Sequence, residues 1–128
     1  MVAYVDMNNL KIVNDRYGHD EGDFSIKLIS EMLTEAVAGI GLAGRVGGDE
    51  VALAVSVSPD DEERAFVEKI YGRFQKYNEG SEKPYNITVS VGTCIVEADD
   101  ALTLKEAMTL ADGKLYAEKQ NRVKSVAK

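Results

Sequence analysis

The stretch from Leu42 to Val57 leaves a chain of this kind little choice of local fold. Leu42 to Val46 is short and mostly apolar, and Val51, Leu53, Val55 and Val57 alternate with Ala52, Ala54 and Ser56. Two β-strands are therefore predicted, with the chain reversing inside Arg45-Val46-Gly47-Gly48-Asp49-Glu50-Val51. The reversal falls on two glycines and two adjacent carboxylates. Glycine tolerates positive φ and lets a ligand approach the backbone, while Asp49 and Glu50 offer hard oxygen donors to a divalent cation. That pairing suits a polyphosphate carried by Mg²⁺. Taken by itself, the tetrapeptide is equally well an ordinary hairpin tip with charged residues.

The rest of the chain supplies a fold around this hairpin. Val2 to Val5 reads as a buried strand ending at Asp6, and Leu10 to Tyr17 as a short helix stopped by Gly18. A longer helix follows, with Phe24, Leu28, Ile29, Met32 and Leu33 as its apolar stripe, and stops near Gly39. Ser58, Pro59, Asp60 and Asp61 form a helix start, with Phe66, Val67, Ile70, Phe74 and Tyr77 on the buried face. Asn78 to Pro84 is a polar loop, and Ile87, Val89 and Val91 alternate as a strand in which Cys94 packs near Val91 and Ile95. Thr103 with Glu106 forms a capping-box pattern for a last helix whose stripe is Leu104, Ala107, Met108, Ala111 and Leu115. The order predicts an α+β sandwich, one mixed sheet covered by helices on at least one face, and not a Rossmann domain.

Composition excludes several functions. The 128 residues, 45% hydrophobic and 29% charged, suit one domain with one core. A formal charge of -7 with scattered Lys and Arg argues against general nucleic-acid binding. The single cysteine, Cys94, excludes an intrachain disulfide and a cysteine-based zinc cluster, and suits a reducing cytosol. No apolar run reaches the roughly 20 residues of a membrane span, so no membrane contact by this domain is expected.

If the first strand pairs beside the hairpin, Asp6, Asp49 and Glu50 meet at one end of the sheet. Two unit charges ~4 Å apart repel by about 4 kcal/mol at an effective dielectric of ~20, a cost that Mg²⁺ or Mn²⁺ removes. The plain alternative for Asp6 is a helix cap. Asn14 and Asp23 supply a donor, an acceptor and a carboxylate that match the guanine edge, although either could instead cap a helix. Lys11, three residues before Asn14 on the same helical face, can meet a phosphate. His19, the only histidine, has the setting of a loop hydrogen-bonder.

Together these residues resemble the GGDEF family of diguanylate cyclases over nearly the whole chain. The resemblance is carried by Asp6-Met7-Asn8-Asn9-Leu10-Lys11, by Asn14-Asp15 with Tyr17-Gly18-His19 and Gly22-Asp23, and by Arg45 through Val51. Ser90-Val91-Gly92 and Ala111-Asp112 with Leu115-Tyr116 and Lys119 complete it. It implies a nucleotidyl-cyclase or palm-like sandwich with a mostly antiparallel sheet of about five strands, and a homodimer in which two GTP condense to cyclic di-GMP and two pyrophosphates. It further implies that Asp6, the Met7 carbonyl, Asp49 and Glu50 hold Mg²⁺ or Mn²⁺, and that Asp49 and Glu50 are catalytic, Glu50 as a further ligand or base. Lys11, Asn14, Asp23, Gly47, Gly48 and Lys119 would bind substrate, while Arg45 braces the hairpin. The other class the resemblance leaves open is a catalytically silent GTP-binding or partner-binding module.

Four departures from the family pattern refine these expectations. Val51 stands where Phe is usual, which implies repacking without loss of chemistry. Gln120-Asn121-Arg122-Val123-Lys124 replaces a Gly-Arg-Asn continuation, altering a second phosphate-binding cation. Ala38-Gly39-Ile40-Gly41 occupies the usual inhibitory Arg-x-x-Asp, so no inhibitory site is expected. The helix and Asp-x-Leu-Thr segment that usually precede the first strand are missing, which implies a cytoplasmic fragment of a longer regulated protein with a sensory or receiver domain.

Overall fold

Four strands and four helices follow one another as β1 (Val2–Met7), α1 (Leu10–Tyr17), α2 (His19–Ala36), β2 (Gly41–Arg45), β3 (Glu50–Val55), α3 (Glu62–Gly80), β4 (Val89–Cys94) and α4 (Leu104–Asn121). This computed structural model describes residues 1–56, 62–96 and 103–121. The expectations at Val57, at the Ser58 to Asp61 helix start and from Arg122 to Lys124 lie outside the described residues, as do the side chains of Leu104, Gln120 and Asn121.

The sheet runs β2-β3-β1-β4. Every neighbouring pair is antiparallel, with Asp6 opposite Glu50 on one side and Ser90 on the other. The expected α+β sandwich with a mostly antiparallel sheet is present, with four strands among the described residues where about five were expected, and every described pairing antiparallel. The residue pattern itself carries only four strand signals, and the fifth came from the resemblance.

Strand alternation divides the core. Ala3, Val5, Met7, Val51, Leu53 and Val55 face one layer with Val13, Ile26, Ile29, Leu33, Phe66, Ile70 and Phe74. Val2 faces the other with Cys94, Ala107 and Ala111, beside the half-buried Tyr4 and Met108. Cys94 thus packs under α4, away from Val91. Each fully buried side chain of this size contributes about 1.5–3 kcal/mol of transfer free energy. Because successive strand residues alternate, Asp6 shares the α4 face with Val2 and Tyr4.

Gly92 sets how closely α4 approaches. A β-carbon there would collide with the Ala111 carbonyl and the Leu115 backbone, so helix and sheet touch with no side chain between them. The helix begins as expected, the Glu106 amide donating to Thr103 Oγ1 at 3.1 Å. The stripe on α2 is shifted from the expected one. Ser25, Ile26, Ile29, Leu33 and Ala36 are buried, whereas Phe24 is 38% exposed and lies under the Lys83 ammonium at 4.5 Å. Likewise β4 starts at Val89 and not Ile87, because the Asn78 side chain takes both the amide and the carbonyl of Ile87 at 2.8 Å.

Candidate functional site

Asp6 is the penultimate residue of β1, on the α4 face, and its cross-strand partner Glu50 opens β3 immediately after the hairpin. The hairpin closes where the Val46 amide donates to the Glu50 carbonyl at 3.0 Å. Arg45 braces it as expected, its Nε donating to the Gly47 carbonyl at 3.3 Å and its guanidinium also reaching the Gly48 carbonyl. The two hairpin glycines do not take positive φ; among the described residues that conformation belongs to Gly18, Gly39 and Asn9. Gly47 and Gly48 instead leave the tip unobstructed, since an added β-carbon would meet only Glu50 Cβ, at 3.7 Å from Gly47, and nothing at Gly48.

From α4, Lys119 reaches this end of the sheet. Its Nζ lies 3.1 Å from Asp6 Oδ2 and donates to the Met7 carbonyl at 3.1 Å. Asp49 is close enough to hydrogen-bond Asp6, yet Asp6 Oδ1 is buried and finds no donor. Burial pushes the Asp6 carboxyl above its ordinary range; Lys119 opposes this, and Asp49 reinforces it. Glu50 is also raised, first by burial and then by Asp112, Asp6 and Asp49. Tyr4 is raised by burial and then by Glu50 and Asp112. One lysine therefore faces a field made by four acids.

The chain leaves this site under tight control. Buried Asn8 donates its amide to the Thr88 carbonyl at 2.9 Å and accepts at Oδ1 from the Ser90 hydroxyl at 2.8 Å. Asn9 then adopts a left-handed φ of 62° and turns the chain into α1. No side-chain cap closes that helix end, so Asp6 is not a helix cap. Asn14 and Asp23 sit inside α1 and α2, which removes capping as their role.

Asn14 is the second unusual polar group. Its Oδ1 is buried and without a partner, and only the missing side chain of Gly22 makes room for it: a β-carbon at Gly22 would collide with that oxygen. Asp23 follows Gly22 and is exposed, as are Lys11 and His19; His19 is the first residue of α2, not a loop hydrogen-bonder.

Three of the expected metal donors thus gather at one point: Asp6, the Met7 carbonyl and the neighbouring Asp49. Among the described residues no three acidic side chains enclose a cation by themselves. Two carboxylates and a carbonyl on an open side, with a buried oxygen lacking a donor, still fit Mg²⁺, which is commonly held by one or two carboxylates and completed by phosphates and water. Asp112 entered the sequence reading only as part of a resemblance, and Gly22 and Ser90 had no assigned role. The signal for Asp112 was its place seven residues, two helical turns, before Lys119. A groove of about 630 Å³ between α3 and residues 86–89 is lined by none of the expected site residues. No helix among the described residues is long and apolar enough to cross a membrane.

Known proteins resemble this chain in sequence and in fold. Residues 1–125 match the family model described as "Diguanylate cyclase, GGDEF domain". The chain is 34% identical to diguanylate cyclase DgcP of Escherichia coli over 98% of its own length and 37% of that protein's. It is 32% identical to the probable diguanylate cyclase DgcJ of the same organism over 95% of this chain and 23% of that one. It therefore spans well under half the length of these two relatives. Among solved structures, the GGDEF domain of DgcB from Caulobacter crescentus, in complex with c-di-GMP, superposes with a TM-score of 0.79 at 26% identity, covering 93% of this chain and 71% of that one. Diguanylate cyclase SiaD from Pseudomonas aeruginosa, solved with its activator SiaC, gives 0.78 at 26% identity over 93% of this chain and 45% of that one.

Proposed function

The chain belongs to the GGDEF domain family, and we propose that it is a diguanylate cyclase domain: two copies, each holding one GTP, form cyclic di-GMP and release two pyrophosphates. The observation that carries this reading is the pair of buried oxygens without donors, Asp6 Oδ1 and Asn14 Oδ1. Buried polar atoms are almost always satisfied, and these two belong to residues expected to hold a cation and a base.

Each side chain then has a task. Asn14 and Asp23 recognise the guanine edge, and Gly22 keeps the Asn14 amide in place. Gly47 and Gly48 give the phosphates access to the hairpin backbone, and Lys11 and Lys119 offset their charge. Asp6, the Met7 carbonyl, Asp49 and Glu50 would hold Mg²⁺ or Mn²⁺, which when bound neutralises the triphosphate and acidifies the ribose 3′-hydroxyl. Glu50, whose carboxyl is raised, is suited to accept the proton as that hydroxyl attacks the α-phosphorus of the facing GTP. Gly47 and Gly48 are exposed at the hairpin tip, as approach by a facing second copy requires. A nucleotide substrate and a single cysteine suit the cytoplasm, with the domain regulated by other parts of a longer protein.

Incubation of the chain with GTP and Mg²⁺ at high protein concentration, with Asp49→Ala as control, should yield cyclic di-GMP only from the unaltered chain. A silent GTP-binding module is the second reading, favoured by the presence of Lys119 on two of the expected metal donors. Saturable GTP binding with no product at any protein concentration would establish that reading instead.

A further inference from the structure

The ammonium of Lys119 stands where a divalent cation is expected, 3.1 Å from Asp6 Oδ2 and 3.1 Å from the Met7 carbonyl. Its arrival there is built into the fold. Lys119 lies one helical turn beyond Leu115, and the backbone at Leu115 is pressed against the sheet at Gly92. That end of the sheet holds Asp6, Asp49, Glu50 and, from α4 itself, Asp112, so removing the lysine would leave the acids without their nearest cation.

We propose that Lys119 is a resident stand-in for the divalent cation: it holds the Asp6–Met7 position in the nucleotide-free chain and is displaced when the cation binds. An ammonium and a metal ion cannot share Asp6 Oδ2 and the Met7 carbonyl. The ammonium is also a partial occupant, because it leaves Asp6 Oδ1 buried and unpaired, whereas a dication draws on several oxygens at once. Lysine suits an exchange of this kind, being a compact charge on a flexible four-carbon stem, where the planar fork of arginine would hold a carboxylate in a fixed geometry. Lys119 then leaves the carboxylate and is available to the phosphates, so one cation serves the empty and the loaded site in turn. The inference rests on the reading of Asp6 and the Met7 carbonyl as cation donors.

Two measurements test it with Mn²⁺ alone. Titration of Lys119→Met without nucleotide, followed by the electron paramagnetic resonance signal of free Mn²⁺, should show affinity about tenfold tighter than in the unaltered chain because the competing charge is gone. Lys119→Arg, which keeps the charge, should bind no tighter than the unaltered chain. Equal or weaker Mn²⁺ binding by Lys119→Met overturns the proposal. The second measurement needs no variant. Acetylation of Lys119, followed by mass spectrometry against the exposed Lys27 and Lys76, should accelerate several-fold on adding Mn²⁺; an unchanged or slower rate overturns the proposal. Cyclic di-GMP formation is assayed separately. Unmasking of Lys119 without product would leave the stand-in role and refute the cyclase reading, and product without unmasking would do the reverse.

Discussion

Asp6 and Glu21 each face one lysine at hydrogen-bond distance, yet their carboxyls shift in opposite directions. Glu21 Oε1 lies 2.6 Å from Lys83 Nζ, and that hydrogen bond holds its carboxyl below the ordinary value. Tyr85 and Lys83 join it there, and Tyr85 also accepts from the Ser25 hydroxyl at 3.3 Å, tying the segment before β4 to α2. Asp6 has Lys119 at 3.1 Å and is nevertheless raised, because burial and the Asp49 charge outweigh that one cation. The difference shows how to tell a structural ion pair from a binding site. Around Glu21 the protein satisfies its own charges; around Asp6 it gathers more charge than it satisfies.

Replacing Asp49 should break the unsatisfied region most completely. Asp49→Ala is expected to reduce cyclic di-GMP formation by at least about 100-fold, since loss of groups that only orient metal ligands already costs metal sites about 10–100-fold; a product assay under saturating GTP checks this. Gly22→Ala comes next, because its methyl would displace Asn14. We expect GTP affinity to fall about tenfold, and stability to fall by about 1–3 kcal/mol through overpacking, read by nucleotide titration and denaturant melts.

Asp6→Asn should sharpen the comparison by acting in two directions. It removes one of the crowded anions and should stabilise the metal-free chain by about 1 kcal/mol while lowering turnover less than Asp49→Ala does. The sign with pH follows from the raised carboxyls of Asp6 and Glu50. Their contribution to stability is largest below their ordinary values of 3.8 and 4.5, and is lost as pH rises through the higher folded-state values. Thermal melts of the metal-free chain across that window should show the decline, and Asp6→Asn should flatten it.

Lys83→Met addresses the satisfied region and should have the smallest effect, a melting shift of about 2 °C or less, as expected of a partly exposed ion pair. Glu21 is lowered, so its contribution is present above 4.5 and is lost as pH falls through the folded value. In Lys83→Met that loss on acidification should disappear from the melting curves.

Local chemistry made much of this fold legible. The Val51, Leu53, Val55 alternation, the stop of α1 at Gly18 and the Thr103–Glu106 cap all depend on neighbours within a few positions, and all are present. Pairing of β1 beside the hairpin was only a condition for bringing Asp6 to Asp49 and Glu50, and the structure meets it. Features fixed by distant partners were not legible. Phe24 matches an apolar stripe by spacing, but Lys83, 59 positions away, covers it and leaves Ile26 to enter the core. Tyr85, at the edge of a polar loop, is fully buried because α2 supplies Glu21 and Ser25 as hydrogen-bond partners. Within the candidate site the residue types were readable, whereas the resting partner of Lys119 was not, since it lies 113 positions back along the chain.

The bare contact at Gly92 gives α4 a mechanical character. With no side chain to act as a cushion between helix and sheet, the contact serves as a fulcrum. Lys119 lies about 6 Å along the helix axis from Leu115, at 1.5 Å per residue, so a tilt of α4 about Gly92 has to appear as travel of the ammonium across the carboxylates.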